Sequence, residues 1–267
     1  MSPRIVVLDS VTQCQGRVEV GDVLVAGSFA GALSLGMALP FGIRGLIAHA
    51  AGVGKDEAGI SALAVADRLG LPTAAVETMS ARIGDGPSVH DEGVISHVNA
   101  AARALGVRIG MRACEAAQLL TRAAEPRAVA GAGLMDPSPR VVDETPAGRI
   151  VCVDTLSFAT AGNAGDVVCA GSHGGRGNIE TLLRIVKPRG VIASDGGMAK
   201  ARSGISGLAL LDDAGVAGAA VDAMSARIGD ARSTWQDGVI SAVNARAGQA
   251  GVAVGQPAHA AARRILH

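Results

Sequence analysis

One segment of this chain is written twice. Residues 75–99, AVETMSARIGDGPSVHDEGVISHVN, return at residues 220–244 as AVDAMSARIGDARSTWQDGVISAVN, an offset of 145 residues. The echo runs further. Arg4-Ile5-Val6 returns as Arg149-Ile150-Val151 and Gly59-Ile60-Ser61 as Gly204-Ile205-Ser206, while Ala26-Gly27-Ser28 returns as Ala170-Gly171-Ser172, slipped by one residue. Self-similarity at one period is the signature of tandem repetition, here read as a gene duplication. It divides the chain into a first repeat over residues 1–120, a linker over 121–148 and a second repeat over 149–267. It also supplies an internal comparison, because residues kept in both copies serve whatever the copies share.

Short apolar runs alternate with helix-periodic stretches in each copy, the pattern of βαβ units and a mostly parallel sheet. The expected fold is α/β, two tandem βαβ-type repeats related by a pseudo-twofold axis. In the first copy strands are expected at residues 4–8, 23–26, 45–48 and 73–77, with helices at 29–39, 57–69 and 91–105; Gly70 and Gly106 stand as helix stops. Strands at 149–153, 167–170, 190–193 and 219–222 follow in the second copy. The linker carries Pro126, Pro137, Pro139 and Pro146. At up to about 3.3 Å per residue it is long enough to let the halves pack side by side.

Composition removes several function classes. Lys plus Arg and Asp plus Glu both number 24, so no broad field attracts nucleic acid or anionic lipid. With three Phe, one Trp and no Tyr, stacking platforms for single strands are nearly absent. Residues 23–43 hold no charge and imitate a membrane helix, but the matching stretch of the second copy carries Arg176, Glu180, Arg184 and Lys187, which no bilayer accepts cheaply. The first-copy helix from Phe29 to Leu39 is apolar all round; it is expected to be covered either by a second subunit, giving a homo-oligomer, or by the rest of its own chain. Cys14, Cys114, Cys152 and Cys169 have no C-x-x-C spacing and no cysteine counterparts, and read as buried thiols of a reducing, cytoplasmic compartment. The opening MSPRIVVLDS is too early-charged for a signal peptide.

In open parallel sheets, ligand groups gather at the carboxyl ends of strands. The recurring polar residues fall there: Asp9 and Asp154 after the first strand, Ser28 and Ser172 after the second, Lys55 and Lys200 after the third. Ser80, Arg82 and Asp85 follow the fourth, as do Ser225, Arg227 and Asp230. A lysine desolvated in a glycine-rich loop can act as a base toward a serine, and an arginine fork suits a carboxylate or developing oxyanion. The expected catalytic residues are Lys55, Ser80, Lys200 and Ser225, with Arg82, Arg227, Ser28, Ser172, His173 and Asp195 binding substrate. The competing reading of Ser80-Ala81-Arg82-Ile83-Gly84-Asp85 is that the aspartate pairs with the arginine to brace a turn. Ser88 and Ser233 have capping-box spacing and are expected as N-caps, and Asn99 and Asn244, late in the same helix, as makers of a shared buried hydrogen bond. The glycine-rich turn from Gly171 to Gly177 has neither a Walker nor a G-x-G-x-x-G pattern. His90 and His97 lie two helical turns apart without further ligands, so neither a metal nor another cofactor is expected.

Repeats that each lend a Lys, a Ser and an Arg to one pocket resemble the scheme of the cyanuric acid hydrolase and barbiturase family, which opens cyclic amides. That family has three repeats against two here, and the order of residues within a repeat differs. The resemblance implies a metal-independent amidohydrolase of a small polar amide or cyclic imide, working in a cleft between the repeats. Two other readings stand beside it: a cofactor-independent isomerase or racemase with twin bases, and a non-catalytic binder of a small anionic metabolite.

Overall fold

The computed structural model describes residues 3–125 and 133–267; part of the linker, Pro126 included, lies outside them. Two compact units are present: one comprises Met1–Val53, Glu57–Met135 and Ala199–Ala201, the other Gly54–Asp56, Asp136–Met198 and Arg202–His267. Each unit therefore takes a tripeptide from the lysine loop of the other repeat, so that Lys200 counts with the first unit and Lys55 with the second.

The first unit is built on a five-stranded sheet in the order β1 (Ile5–Leu8), β2 (Val23–Phe29), β3 (Gly45–His49), β4 (Thr73–Val76) and β5 (Ile95–Val98). The first four are parallel and β5 runs antiparallel to β4. Helices α1 (Ala32–Ala38), α2 (Ala62–Leu69), α3 (Gly86–Asp91), α4 (Ala100–Ala104) and α5 (Ala113–Leu120) complete it. In the second unit β6 (Arg140–Thr145), β7 (Gly148–Val153), β8 (Val167–His173), β9 (Gly190–Ser194), β10 (Ala217–Val221) and β11 (Ile240–Val243) form a six-stranded sheet with only its two edge strands antiparallel. Its helices are α6 (Arg176–Ile185), α7 (Gly207–Asp213), α8 (Ala231–Asp237), α9 (Ala245–Gln249) and α10 (Ala258–Leu266). The fold is mixed α/β with mostly parallel sheets, and the matching order of elements is consistent with two repeats.

Strands β2 and β8 are buried along their whole length, as expected of central parallel strands covered on both faces. Apolar clusters lie on both sides of each sheet. Small residues make the layers close. A Cβ on Gly27 would come within 2.5 Å of the Asp85 nitrogen, and one on Gly171 within 2.6 Å of the Asp230 nitrogen. Only glycine lets the carboxyl half of β2 or β8 touch the turn that starts α3 or α8.

Several expectations change. Residues 29–39 are not one helix: Phe29 still belongs to β2, and α1 begins at Ala32, whose nitrogen bonds Ser61 Oγ. Leu33, Leu35 and Ala38 of α1 are buried within the chain itself, Leu35 and Ala38 in a core cluster shared with α2, so the rest of its own chain covers much of this helix. The helix expected over 91–105 is interrupted. Gly93, where a Cβ would sit 2.3 Å from the Val89 oxygen, ends α3, and the apolar run after it forms β5; Gly238 does the same after α8. Val94 and Val98, four residues apart, share a face under either a 3.6-residue or a two-residue period, and pairing with β4 decides for the strand. Within the expected linker, residues 140–145 form β6, paired to β7. Among the described residues no helix is long and apolar enough to cross a membrane.

Candidate functional site

The lysine loops have unusual backbone. Ala51, Val53, Asp56 and Glu57 in one, and Met198, Ala199, Ala201 and Arg202 in the other, take positive φ between 50° and 62°. Left-handed backbone costs a side-chain-bearing residue roughly 1–2 kcal/mol and is most unfavourable for a β-branched one such as Val53. Strain retained at matching positions of two loops is the kind of feature that collects at functional sites. The loops are pinned at the lysine itself, the Lys55 nitrogen to Ala223 O at 2.9 Å and the Lys200 nitrogen to Ala81 O at 3.3 Å.

In the second unit Lys55 Nζ lies 2.9 Å from Asp237 Oδ2, at the end of α8. The same oxygen accepts the Ser233 hydroxyl at 2.7 Å. These two contacts, Lys55 first, hold the Asp237 carboxyl below its usual range. Arg227 reaches Asp230 and Asp56, each at 3.1 Å. In the first unit Lys200 Nζ lies 3.5 Å from Glu92 Oε2 and 3.4 Å from the Ser80 carbonyl oxygen. Glu92 accepts the Ser88 hydroxyl, the main reason its carboxyl is depressed, and Arg82 Nη1 stands 3.4 Å from it. Each unit thus brings a lysine and a serine onto one carboxylate, with an arginine on that carboxylate in the first unit and on Asp56 and Asp230 nearby in the second; the lysine side chains are 32% and 39% exposed and both arginines 42% exposed. A ligand can reach them.

The acidic member was missed at the level of sequence. Glu92 and Asp237 occupy the same repeat position, so the signal was present as a recurring carboxylate. Ser80 and Ser225 lie beside the lysines but their hydroxyls are engaged with backbone: each donates to the carbonyl three residues back at 2.7 Å and accepts from Val94 N or Val239 N. The lysines face carboxylates instead of these hydroxyls. The bracing arginine–aspartate contact forms too, Arg82 with Asp85 at 3.7 Å and Arg227 with Asp230.

The other expected binding residues make hydrogen bonds within the fold. Buried Ser28 and Ser172 accept from Val11 N and Leu156 N, fixing the turns after β1 and β7. His173 is buried and accepts from Gly175 N. The N-caps of α3 and α8 are Asp85 and Asp230, not Ser88 and Ser233, whose oxygens instead accept from Arg82 N and Arg227 N. Asn99 and Asn244 are buried as expected but cap α4 and α9 instead of sitting late in a longer helix. His90 lies on α3 and His97 on β5, so they share no helix face. Among the described residues no three of His, Cys, Asp or Glu are grouped to hold a metal ion. Burial pushes the Cys14 thiol up to about 11 and Cys152 up to about 12, which leaves both protonated and inert as nucleophiles at neutral pH.

Asp195 is a buried carboxylate in the second lysine loop, 3% exposed. Its Oδ1 accepts from Gly197 N at 2.9 Å and Ala223 N at 3.1 Å, tying that loop to the Met224–Ser225 turn. In the first unit His49 does the equivalent work, its Nε2 on Thr78 O and Ala81 O and its Nδ1 taking Ala51 N–H. Burial raises the Asp195 pKa, so its charged form is less favourable folded than unfolded, and its contribution to stability declines as pH rises from about 4. Asp195→Asn keeps the Oδ1 acceptor. Its Tm should therefore exceed that of the parent at pH 7 and the gap should close toward pH 4; a gap that widens on acidification would contradict this account.

A separate cavity of ≈ 370 Å³ opens in the first unit at the amino ends of β3 and β4, lined by Leu39, Arg44, Leu71, Pro72, Leu105 and Glu125 among others. It holds none of Lys55, Ser80, Arg82, Lys200, Ser225 or Arg227. Comparison of the chain with protein-family models, with curated proteins and with solved structures finds no match.

Proposed function

We propose that this chain hydrolyses a small polar amide or cyclic imide at its lysine–carboxylate–arginine sets. The observation that carries the reading is that the same four residue types meet in each unit, although the lysine of each set comes from the other repeat's loop. Cations and carboxylates stand side by side and largely neutralise one another, so the set has little general pull on an anion. It does offer N–H donors next to carboxylate acceptors, and a neutral imide presents the complement, C=O beside N–H.

Lysine and arginine donate to the amide oxygen and stabilise the charge that grows there. Glu92 or Asp237 takes a proton from the water that attacks the carbonyl carbon and passes it to the nitrogen as the C–N bond breaks. Giving the attack to water departs from a Ser–Lys pair, since the Ser80 and Ser225 hydroxyl protons already lie on backbone carbonyls.

The test is ring opening of hydantoin, succinimide and dihydrouracil, followed by loss of ultraviolet absorbance. Turnover is expected, and Ser80→Ala with Ser225→Ala should retain it within about tenfold, outside the range of losing a nucleophile. Saturable binding of these rings without ring opening would make the protein a binder instead, and absence of both would sink the reading.

A further inference from the structure

Beside each polar set stands an exposed methionine. Met79 and Met224 are 57% and 64% exposed, occupy the same repeat position, and immediately precede Ser80 and Ser225. An exposed apolar side chain on its own is ordinary. Two features set this pair apart. The copies have diverged at other accessible positions, exposed Asp56-Glu57 becoming Ala201-Arg202 and half-buried His90 becoming Trp235, yet methionine stands at both places. The turns that carry it are also held from within: His49 bonds Thr78 O and Ala81 O, Gly52 N bonds Thr78 Oγ1, and Asp195 bonds Ala223 N. The backbone is fixed and the thioether is left outside.

The position relative to the site is direct. Lys200 Nζ reaches the carbonyl of Ser80, the residue after Met79, and the Lys55 nitrogen bonds the carbonyl of Ala223, the residue before Met224. Ile109 and Val254 are another matched and exposed apolar pair, 67% and 62%; the next residues, Gly110 and Gly255, bond the first residue of β5 or β11. Methionine is unbranched and polarisable, and adapts to apolar surfaces of differing shape.

We infer that the substrate is an amide or cyclic imide bearing an apolar substituent, its polar edge on the lysine–carboxylate–arginine set and its hydrocarbon part on Met79 or Met224. This rests on the hydrolase reading above and narrows it. The dry contact is made only by substituted rings, so it acts as a specificity determinant.

The experiment compares kcat/KM for 5-benzylhydantoin with that for hydantoin. The unaltered chain should favour the substituted ring by about tenfold or more, the scale of discrimination by an apolar pocket. In the double variant Met79→Ala, Met224→Ala that ratio should fall about tenfold, and Met79→Leu with Met224→Leu should restore most of it. A ratio unchanged in the alanine variant overturns the inference while the hydrolase reading stands. No turnover of either ring by the unaltered chain overturns both.

Discussion

Replacing Lys55 and Lys200 together by methionine should lower the rate of imide ring opening by about 10²- to 10³-fold, the usual cost of removing a donor to a developing oxyanion. The fold should survive. Both lysines are about a third exposed and paired with partly exposed carboxylates, and such pairs add little to stability. Tm should move by only a few degrees, and methionine keeps the length of the side chain. The single variants separate the two sets: if both react, each loses about half the rate, whereas one dominant set puts nearly the whole loss on one lysine. A double variant that retains the parental rate on every ring in the panel would remove lysine from the chemistry.

The largest stability effect should come from Asn99→Ala and Asn244→Ala. Asn99 Oδ1 accepts from Thr73 N and Ala102 N, and its Nδ2 donates to Leu71 O. Asn244 makes the same three bonds, to Gly218 N, Ala247 N and Val216 O. One amide thus caps a helix and closes the start of the neighbouring parallel strand. Loss of the cap costs about 1 kcal/mol, and each buried backbone group left without a partner adds about 1–3 kcal/mol; Thr73 Oγ1 also donates to Leu71 O, so Asn99→Ala orphans one group and should lose about 2–4 kcal/mol, and Asn244→Ala orphans two and should lose about 3–7 kcal/mol. With units of this size that corresponds to a fall in Tm of roughly 10 °C or more. Asn→Asp, which keeps the acceptor but not the donor, should fall between parent and alanine. Urea unfolding of the three proteins checks the order, and an alanine variant within about 1 kcal/mol of the parent would mean that water satisfies these groups.

Much of the frame was legible before any coordinates. Strands β1 to β4 and β7 to β10 announce themselves as short apolar runs between turn residues, and Gly70, left-handed at φ 66°, ends α2 where a glycine stop was expected. What failed was local and has one cause: a short amphipathic stretch is read by period alone. Residues 94–98 suit a helix or a strand, and only the free edge of β4 decides between them. The serines show a second kind of failure. Spacing marked Ser88 and Ser233 as caps, but Asp85 and Asp230, three residues earlier, took that place and freed the hydroxyls for Glu92 and Asp237.

By itself the sequence determined the α/β class, the doubling of every element that matters, and the chemical types of lysine, arginine and serine that recur at the carboxyl ends of strands. These follow from periodicity and from side chains whose chemistry travels with them. Only tertiary structure decided which of them meet. Each lysine sits in a left-handed loop and shares its unit with a carboxylate of the other repeat about 110 or 180 residues away along the chain, Glu92 for Lys200 and Asp237 for Lys55. No local pattern encodes such a contact, because the energy that holds the loop in an unfavourable backbone comes from hydrogen bonds to residues distant in sequence.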